Sequence, residues 1–339
     1  MKVIIQIPCY NEEDTLPRVF RDLPRRVEGI DEIKTLIIDD GSTDGTVQTA
    51  RRLGVDYIVQ NNRNMGLAHS FAVGLDACLS LGADIIVNTD GDNQYQGKDI
   101  EKILLPLIEN RADIAVGCRS LKTHPEFSPA KKLLQRIGSR IVALLSNQKI
   151  SDVTSGFRAF TREAAVKLSV FSNFSYTLET LIQSKKLNLT VCSVPIRTNP
   201  RTRESRLFKS TLNFIYNQVL AIFRVFIFYS PMRFFGSLSL FFLVVSMALS
   251  IRIIRFLALA DNDLSKFKIG TGILVLFTSL LSVMFLIAGF LGTVLSGIRF
   301  IIIDIRIRIR HLELKMKSNP VHRNITRKTS RYEFRQNEP

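Results

Sequence analysis

The sequence predicts an α/β domain with a mostly parallel sheet, followed by interfacial helices and a two-helix membrane hairpin. Three observations predict it. Short β-branched runs alternate with helix-length segments from Met1 to about Asn199, polar clusters stand at the ends of those runs, and two long uncharged stretches follow. Strands separated by helix-length segments make βαβ units, whose parallel sheet is covered on both faces.

The runs are "KVIIQIP", "IKTLIIDD", "DYIVQ", "ADIIVNTD", "ADIAVGC" and "LTVCSVPI". Between them lie "TDGTVQTARRLG", "LAHSFAVGLDACLSLG" and "KDIEKILLPLIEN", each long enough for a helix that recrosses the sheet. The opening "MKVIIQIP" carries one Lys and a short apolar run that stops at proline, so it reads as a first strand and not as a signal peptide. Cys9, Cys78, Cys118 and Cys192 are scattered without a C-x-x-C pair, which points to reduced, buried small hydrophobes and not to a disulfide framework or zinc site.

Beyond the α/β region the chemistry changes. Phe234 to Ile251 is 18 residues without a charge, and Ile269 to Ile298 is 30. Either exceeds or approaches the roughly 20 helical residues that cross a hydrocarbon core about 30 Å thick. Two spans leave both ends on one side. Basic residues dominate before the first span, from Arg197 to Arg233, and after the second in "RFIIIDIRIRIRHLELKMK", while the connecting "ALADNDLSKFK" balances its charges. The positive-inside tendency therefore puts the α/β domain and the tail in the cytoplasm, with Arg252 and Arg255 running against it at the far end of the first span. The boundaries expected are 1–202 for the catalytic domain, 203–231 for juxtamembrane amphipathic helices, 232–300 for the spans (about 233–256 and 270–298) and 301–339 for a basic tail.

The 339 residues carry a formal net charge of +16, which calls for an anionic partner. The charge clusters beside the spans, and no aromatic-basic RNA module is present, so a phospholipid surface fits and nucleic acid does not. Amphipathic helices in "SRLFKSTLNFIYNQVLAIFRVFIFYSPM" would lie in the bilayer interface. The stretch "IRIRIRHLELKMK" reads as an amphipathic strand or helix that could join subunits into a homo-oligomer.

An open parallel sheet binds ligands at the carboxyl ends of its strands. Here those ends carry "PCYNEE", "DDGSTDGT", "NRNMGLAHS" and "DGDNQYQ". No G-x-G-x-x-G follows the first strand, which removes a dinucleotide enzyme. Asp90 and Asp92, at i and i+2 on a turn leaving a strand, can both face one hard cation, with Gly91 allowing close backbone approach. Mg²⁺ or Mn²⁺ there would bridge the oxygens of a nucleotide diphosphate.

"IPCYNEEDTLP", "DDGSTDGT", "NTDGDNQYQGKDI" and "DVTSGFRAF", in this order, resemble the family 2 glycosyltransferases of GT-A fold. The resemblance is to the dolichol-phosphate-mannose-synthase-like enzymes that load a sugar onto a polyprenyl phosphate, and it covers residues 1 to about 210. It implies that Pro8, Tyr10, Glu12, Asp39 and Asp40 hold the base and ribose, and that Asp90, Asp92 and Gln94 surround metal and diphosphate. It implies also that Arg119 of "GCRS" lies near the lipid phosphate, with Arg136 and Arg140 as helpers. Arg206 in "RESRL" stands where the family carries Lys, and an Arg there contacts phosphate bidentately. Asp152 follows the same pattern, either as base or as an orienting residue for Arg158 or the metal loop. A phosphate monoester, with its second pKa near 6, is already a nucleophile at neutral pH, so charge compensation outweighs deprotonation.

The expected reaction is inverting, metal-dependent transfer of a hexose-type sugar from a UDP- or GDP-sugar to polyprenyl phosphate at the cytoplasmic leaflet. The alternatives are another lipid acceptor, and a non-catalytic scaffold or sugar-nucleotide sensor. A processive synthase with a Q-x-x-R-W motif is excluded, because the chain has no Trp.

Overall fold

Seven strands form one sheet in the order β3-β2-β1-β4-β6-β5-β7. They are β1 (Lys2–Cys9), β2 (Glu32–Asp39), β3 (Tyr57–Gln60), β4 (Ile85–Asn88), β5 (Ile114–Arg119), β6 (Arg158–Thr161) and β7 (Val191–Ile196). The computed structural model describes residues 1–119, 150–170, 176–200, 220, 223–224, 227–259 and 269–318. All ladders are parallel except those of β6, which runs antiparallel to both β4 and β5.

The hydrophobic runs of β1 and β4 are buried along almost their whole length, as strands covered on both faces require. Helices α1 (Leu16–Asp22), α2 (Thr46–Arg52), α3 (Leu67–Ser80), α4 (Ile100–Ile108), α5 (Arg162–Lys167) and α6 (Tyr176–Lys186) accompany the sheet. One core cluster joins Val3, Ile5 and Ile7 of β1 to Leu16 and Val19 of α1 and to Ile103 and Leu107 of α4. Burying each such side chain contributes roughly 1.5–3 kcal/mol. Each expected strand is present within two residues or so of its expected ends.

One strand was not expected. β6 lies inside "DVTSGFRAF", where Arg158 masks the apolar character a central strand should show. Arg158 is nevertheless fully buried. Its guanidinium donates to the carbonyls of Ser155 (2.8 Å), Thr177 (2.8 Å) and Val153 (2.9 Å) and to Thr180 Oγ1 (2.7 Å). A charge so surrounded by acceptors can be buried where an unpaired one could not.

The chain divides into two compact units, one of residues 1–219 with those from Arg306 onward, the other Leu220–Ile305. In the second unit, α7 (Pro231–Leu259) and the first part of α8 (Ile269–Ser318) are both long and apolar enough to cross a membrane. Their large side chains, among them Leu240, Phe241, Met247, Leu276 and Phe290, are exposed, unlike those of a soluble core helix. Between the two helices Ser282 Oγ donates to Ser239 O at 2.9 Å, and Ser246 Oγ to Val275 O at 3.3 Å, polar ties of the kind that join helices in lipid. Most of the expected juxtamembrane segment, the loop holding Asp261 and Asp263, and the tail beyond residue 318 lie outside the described residues. Cys9, Cys78 and Cys118 are buried thiols as expected, whereas Cys192 is only half-buried, because β7 is an edge strand.

The stretch "IRIRIRHLELKMK" is helical. Within the first unit its Arg310 pairs with Asp76 of α3 and donates to the carbonyls of Ala165 (3.0 Å), Val166 (3.2 Å) and Leu168 (3.2 Å). Those carbonyls end α5, where helical partners run out and a cation is favoured. Arg310→Ala should therefore cost about 1–3 kcal/mol. Thermal unfolding of the full chain in detergent checks this, and an unchanged midpoint would refute the anchoring role.

Candidate active site

The sheet order reverses between β1 and β4: β2 and β3 continue on one side of β1, while β4 begins the other. Crevices at such switch points, beyond the carboxyl ends of the strands, are where open α/β sheets bind ligands. The loops leaving β1, β2 and β4 meet there. Thr15 Oγ1 donates to Gly91 O at 2.8 Å, and Glu12 N donates to Thr46 Oγ1 at 2.8 Å. Asn11 and Asn93 take left-handed backbone conformations, with φ of 55° and 59°. Asparagine tolerates that region better than other side chains, which lets both loops turn sharply.

Under the β4 loop lies a buried polar seam. Gln6 Nε2 donates to Asn88 Oδ1 at 2.9 Å, and Asn88 Nδ2 donates to Gly156 O at 2.8 Å and to Tyr176 Oη at 3.2 Å. Gly156 N in turn donates to Tyr95 Oη at 3.1 Å. Tyr95 stacks on Phe157 and Tyr176 on Phe71, with ring centroids 5.1 and 4.0 Å apart. The β4 loop, the "TSGF" turn and α6 are thus one assembly. A Cβ at Gly156 would lie 2.7 Å from Tyr176 Oη and 3.1 Å from Asp90 Oδ1, so the turn approaches Asp90 as closely as backbone allows.

Asp90 is the unusual group. Its Oδ1 is buried and receives no hydrogen bond. Burial, and then the neighbouring Asp92 carboxylate, push its pKa up to about 7, against the opposing pull of Arg119. Asp92 closes an Asx-turn, its Oδ1 accepting from Gln94 N at 3.0 Å. A buried acceptor without a donor beside a second carboxylate suits a hard divalent cation, which takes oxygen ligands. Among the described residues no group of three or more His, Cys, Asp or Glu side chains is placed to hold a metal. Mg²⁺-like ions, though, commonly take one or two carboxylates and complete their shell with phosphate and water. The residues present fit such an ion.

Asp152 and Arg119 form the second charged element. Arg119 Nε donates to Asp152 Oδ2 at 2.6 Å and Nη2 to Oδ1 at 3.1 Å, while Thr154 Oγ1 adds a bond to Oδ1 at 3.0 Å. Burial acts to raise the Asp152 pKa, but the Arg119 guanidinium and these hydrogen bonds hold it below the usual carboxylate range. The partner of Asp152 is therefore Arg119, and Arg158, expected as its partner, is bonded instead to backbone carbonyls and Thr180.

Asp40 also departs from expectation. Its carboxylate accepts from Asn61 Nδ2 (2.8 Å), Met65 N (3.0 Å) and Gly66 N (2.8 Å), which leaves about one of its roughly four acceptor positions. It holds the loop after β3 against the loop after β2. Gly41, with φ of +71°, makes this possible, since a Cβ there would lie 2.6 Å from the Arg63 backbone. Asp39, at the end of β2, accepts from Ser42 N at 3.2 Å. Pro8 lies in β1, Tyr10 just beyond it is 37% exposed, and Glu12 is buried with Thr15 Oγ1 on its Oε2 at 2.7 Å. Gln94 enters through its backbone, its carbonyl accepting from Asn199 N at 2.9 Å. Arg136, Arg140 and Arg206 lie outside the described residues. Sequence reasoning missed Tyr95, Asn88 and Thr15 as members of the site. Asn88 and Gln6 had a signal, since a polar side chain inside an otherwise apolar central strand must find a buried partner.

The sheet order, the switch-point site and the acidic turn together define a GT-A glycosyltransferase domain. A model of glycosyl transferase family 2 matches residues 4–169. The chain is 32% identical over 218 residues to the UDP-N-acetylglucosamine--dolichyl-phosphate N-acetylglucosaminyltransferase of Methanococcus voltae, covering 58% of this chain and 85% of that protein. It is 30% identical over 222 residues to the dolichol-phosphate mannosyltransferase of Pyrococcus furiosus, covering 62% and 61%. Among solved structures, glucosyl-3-phosphoglycerate synthase from Mycobacterium tuberculosis, crystallised with Mn²⁺, UDP and glucosyl-3-phosphoglycerate, aligns with a TM-score of 0.50. That alignment covers 65% of this chain and 79% of the other at 18% identity, a likeness of fold. The chain belongs to glycosyl transferase family 2 and is a glycosyltransferase, with named relatives that act on dolichyl and polyprenol phosphates.

Two measurements probe this site. Gly156→Ala should displace Asp90 or Tyr176 and weaken Mn²⁺ binding about tenfold or more while the domain still folds; unaltered Mn²⁺ affinity would show that the turn does not support Asp90. The second concerns pH. Asp90 keeps its proton in the folded chain up to about pH 7, whereas its ordinary value is 3.8. The resulting stabilisation is complete below the lower value and is lost as pH rises through the upper one. Without divalent cations, the stability of wild type minus that of Asp90→Asn should fall between pH 4 and pH 7, and Mn²⁺ should restore it most above pH 7. Denaturant melts across that range check the sign.

Proposed function

We propose that the chain transfers a hexose-type sugar, with inversion and with Mg²⁺ or Mn²⁺, from a UDP- or GDP-sugar to polyprenyl phosphate at the cytoplasmic leaflet. The observation that carries this reading is Asp90, a carboxylate with one buried, undonated oxygen, beside Asp92 at the switch point. Support comes from the two apolar helices and from relatives named for transfer to dolichyl or polyprenol phosphate. The Mn²⁺ and UDP of the M. tuberculosis enzyme agree with a metal and a nucleotide sugar here.

In this reading Asp90 and Asp92 hold the divalent cation, which when bound compensates the charge of the donor diphosphate. Pro8, Tyr10, Glu12 and Asp39 border the base and ribose, and Asp40 keeps the adjoining loop closed around them. Arg119 presents its charge to the acceptor phosphate, with Arg136, Arg140 and Arg206 as further cationic contacts. Asp152 fixes the plane and position of the Arg119 fork, and its lowered pKa makes it a poor base. The acceptor monoester needs none, because its second pKa lies near 6. A hydroxyl acceptor would need one, which favours the phosphate over a diacylglycerol-like lipid. The chain's work is then to align donor and acceptor and to offset the repulsion between two anionic groups.

Purified full-length protein should form a lipid-linked sugar from one of the common UDP- or GDP-sugars, Mg²⁺ or Mn²⁺ and polyprenyl phosphate. Asp92→Asn should lower kcat/KM by about 100-fold or more. Absence of product with every donor, or full activity of the variant, would overturn the reading.

A further inference from the structure

The chain leaving β7 turns back onto the metal loop. Tyr95 and Thr198 form an isolated antiparallel bridge, and Arg197 N donates to Asp99 Oδ2 at 2.6 Å. Asn199 then grips the turn twice. Its main-chain N–H donates to Gln94 O at 2.9 Å, and its side-chain Nδ2 donates to Asn93 O at 3.0 Å. These two carbonyls belong to the residues just after Asp92, one of them the left-handed Asn93. On its other flank the same turn is fastened by Asp92 Oδ1 to Gln94 N and by Thr15 Oγ1 to Gly91 O.

We infer that Asn199 is a positioning residue for the metal loop, and that its amide group sets the orientation of Asp92. The inference rests on the assignment of Asp90 and Asp92 as holders of the divalent cation. Asparagine tolerates the left-handed region, and the bonds to this turn fix which carbonyls it presents. The Asx-turn supplies one bond to that turn, and Asn199 supplies two from a segment more than a hundred residues away. Remove the amide and the turn keeps its local bond, the main-chain bond from Asn199 and the bond from Thr15, but loses the one that fixes the Asn93 carbonyl next to Asp92. Asn199 also stands two residues before Arg201, the first of the cations that run through Arg203 and Arg206 to Lys209.

The test uses the full-length protein with Mn²⁺ and UDP, and with Mn²⁺ and GDP in parallel, following bound Mn²⁺ by the loss of the free-ion electron paramagnetic resonance signal. Asn199→Ala should raise the Mn²⁺ dissociation constant about fivefold to thirtyfold, the effect of losing one or two kcal/mol of support. It should also speed amide exchange across residues 92–96. Asn199→Asp keeps the size and the main-chain N–H but replaces the donating amide with an oxygen facing Asn93 O, so it should fail to rescue. Rescue by Asp would mean that bulk alone matters and would overturn the inference, as would Mn²⁺ affinity unchanged in Asn199→Ala. A wild-type protein that binds no Mn²⁺ with either nucleotide would sink the metal assignment itself, a separate and recognisable failure.

Discussion

A carboxylate with one oxygen that is buried and that nothing in the fold donates to governs this structure. Asp90 follows the buried strand β4 and lies beside a second acid, and ionising it there is costly enough to shift its proton loss to about pH 7. Left to itself the arrangement is unstable. It persists because its neighbours cannot move. Asn88 below it is bonded to Gln6, Gly156 and Tyr176, and the turn above it is pinned by Thr15 on one side and Asn199 on the other. The fold thus holds two neighbouring carboxylates whose joint ionisation a bound cation would favour.

Two arginines, one buried and one partly buried, illustrate how a single sequence gives the same side chain different surroundings. Arg158 is spread over neutral acceptors, three carbonyls and a hydroxyl, so its charge is absorbed by the scaffold and ties β6 to α6. Arg119 is set against a full carboxylate at the rim of the sheet, and its fork is held in one plane. A planar, pre-oriented guanidinium is the group best matched to phosphate. What distinguishes the two is the chemistry of their acceptors, since both come from strands that meet in register, Val116 opposite Arg158.

Much of this was legible from local pattern. The β-branched runs found their strands because a strand buried on both faces leaves a continuous apolar trace, and the carboxylate turn was visible because acids at i and i+2 after such a trace are conspicuous. β6 escaped because its one arginine is satisfied by two carbonyls of the turn before it and by two groups of α6, Thr177 O and Thr180 Oγ1, about twenty residues on. The resemblance assigned Asp40 to the ligand, whereas its bonds to Asn61, Met65 and Gly66 appear only when the loops are brought together. The pairing of Asp152 with Arg119 and the reach of Asn199 to Asn93 likewise join residues whose separation no periodicity records. Composition foresaw the apolar helices but not the docking of Arg310, which depends on carbonyls that a helix end leaves over.

The lone antiparallel strand has an evolutionary corollary. Because β6 runs against its neighbours, β5 finishes and β6 starts on the same rim of the sheet, at Arg119 and Arg158. The connection between them therefore leaves and rejoins the sheet at one edge. Its last residues, Asp152 to Gly156, are tied to Arg119, Tyr95 and Asn88, so divergence in length belongs to the part that precedes them, where closure entropy penalises added residues only logarithmically.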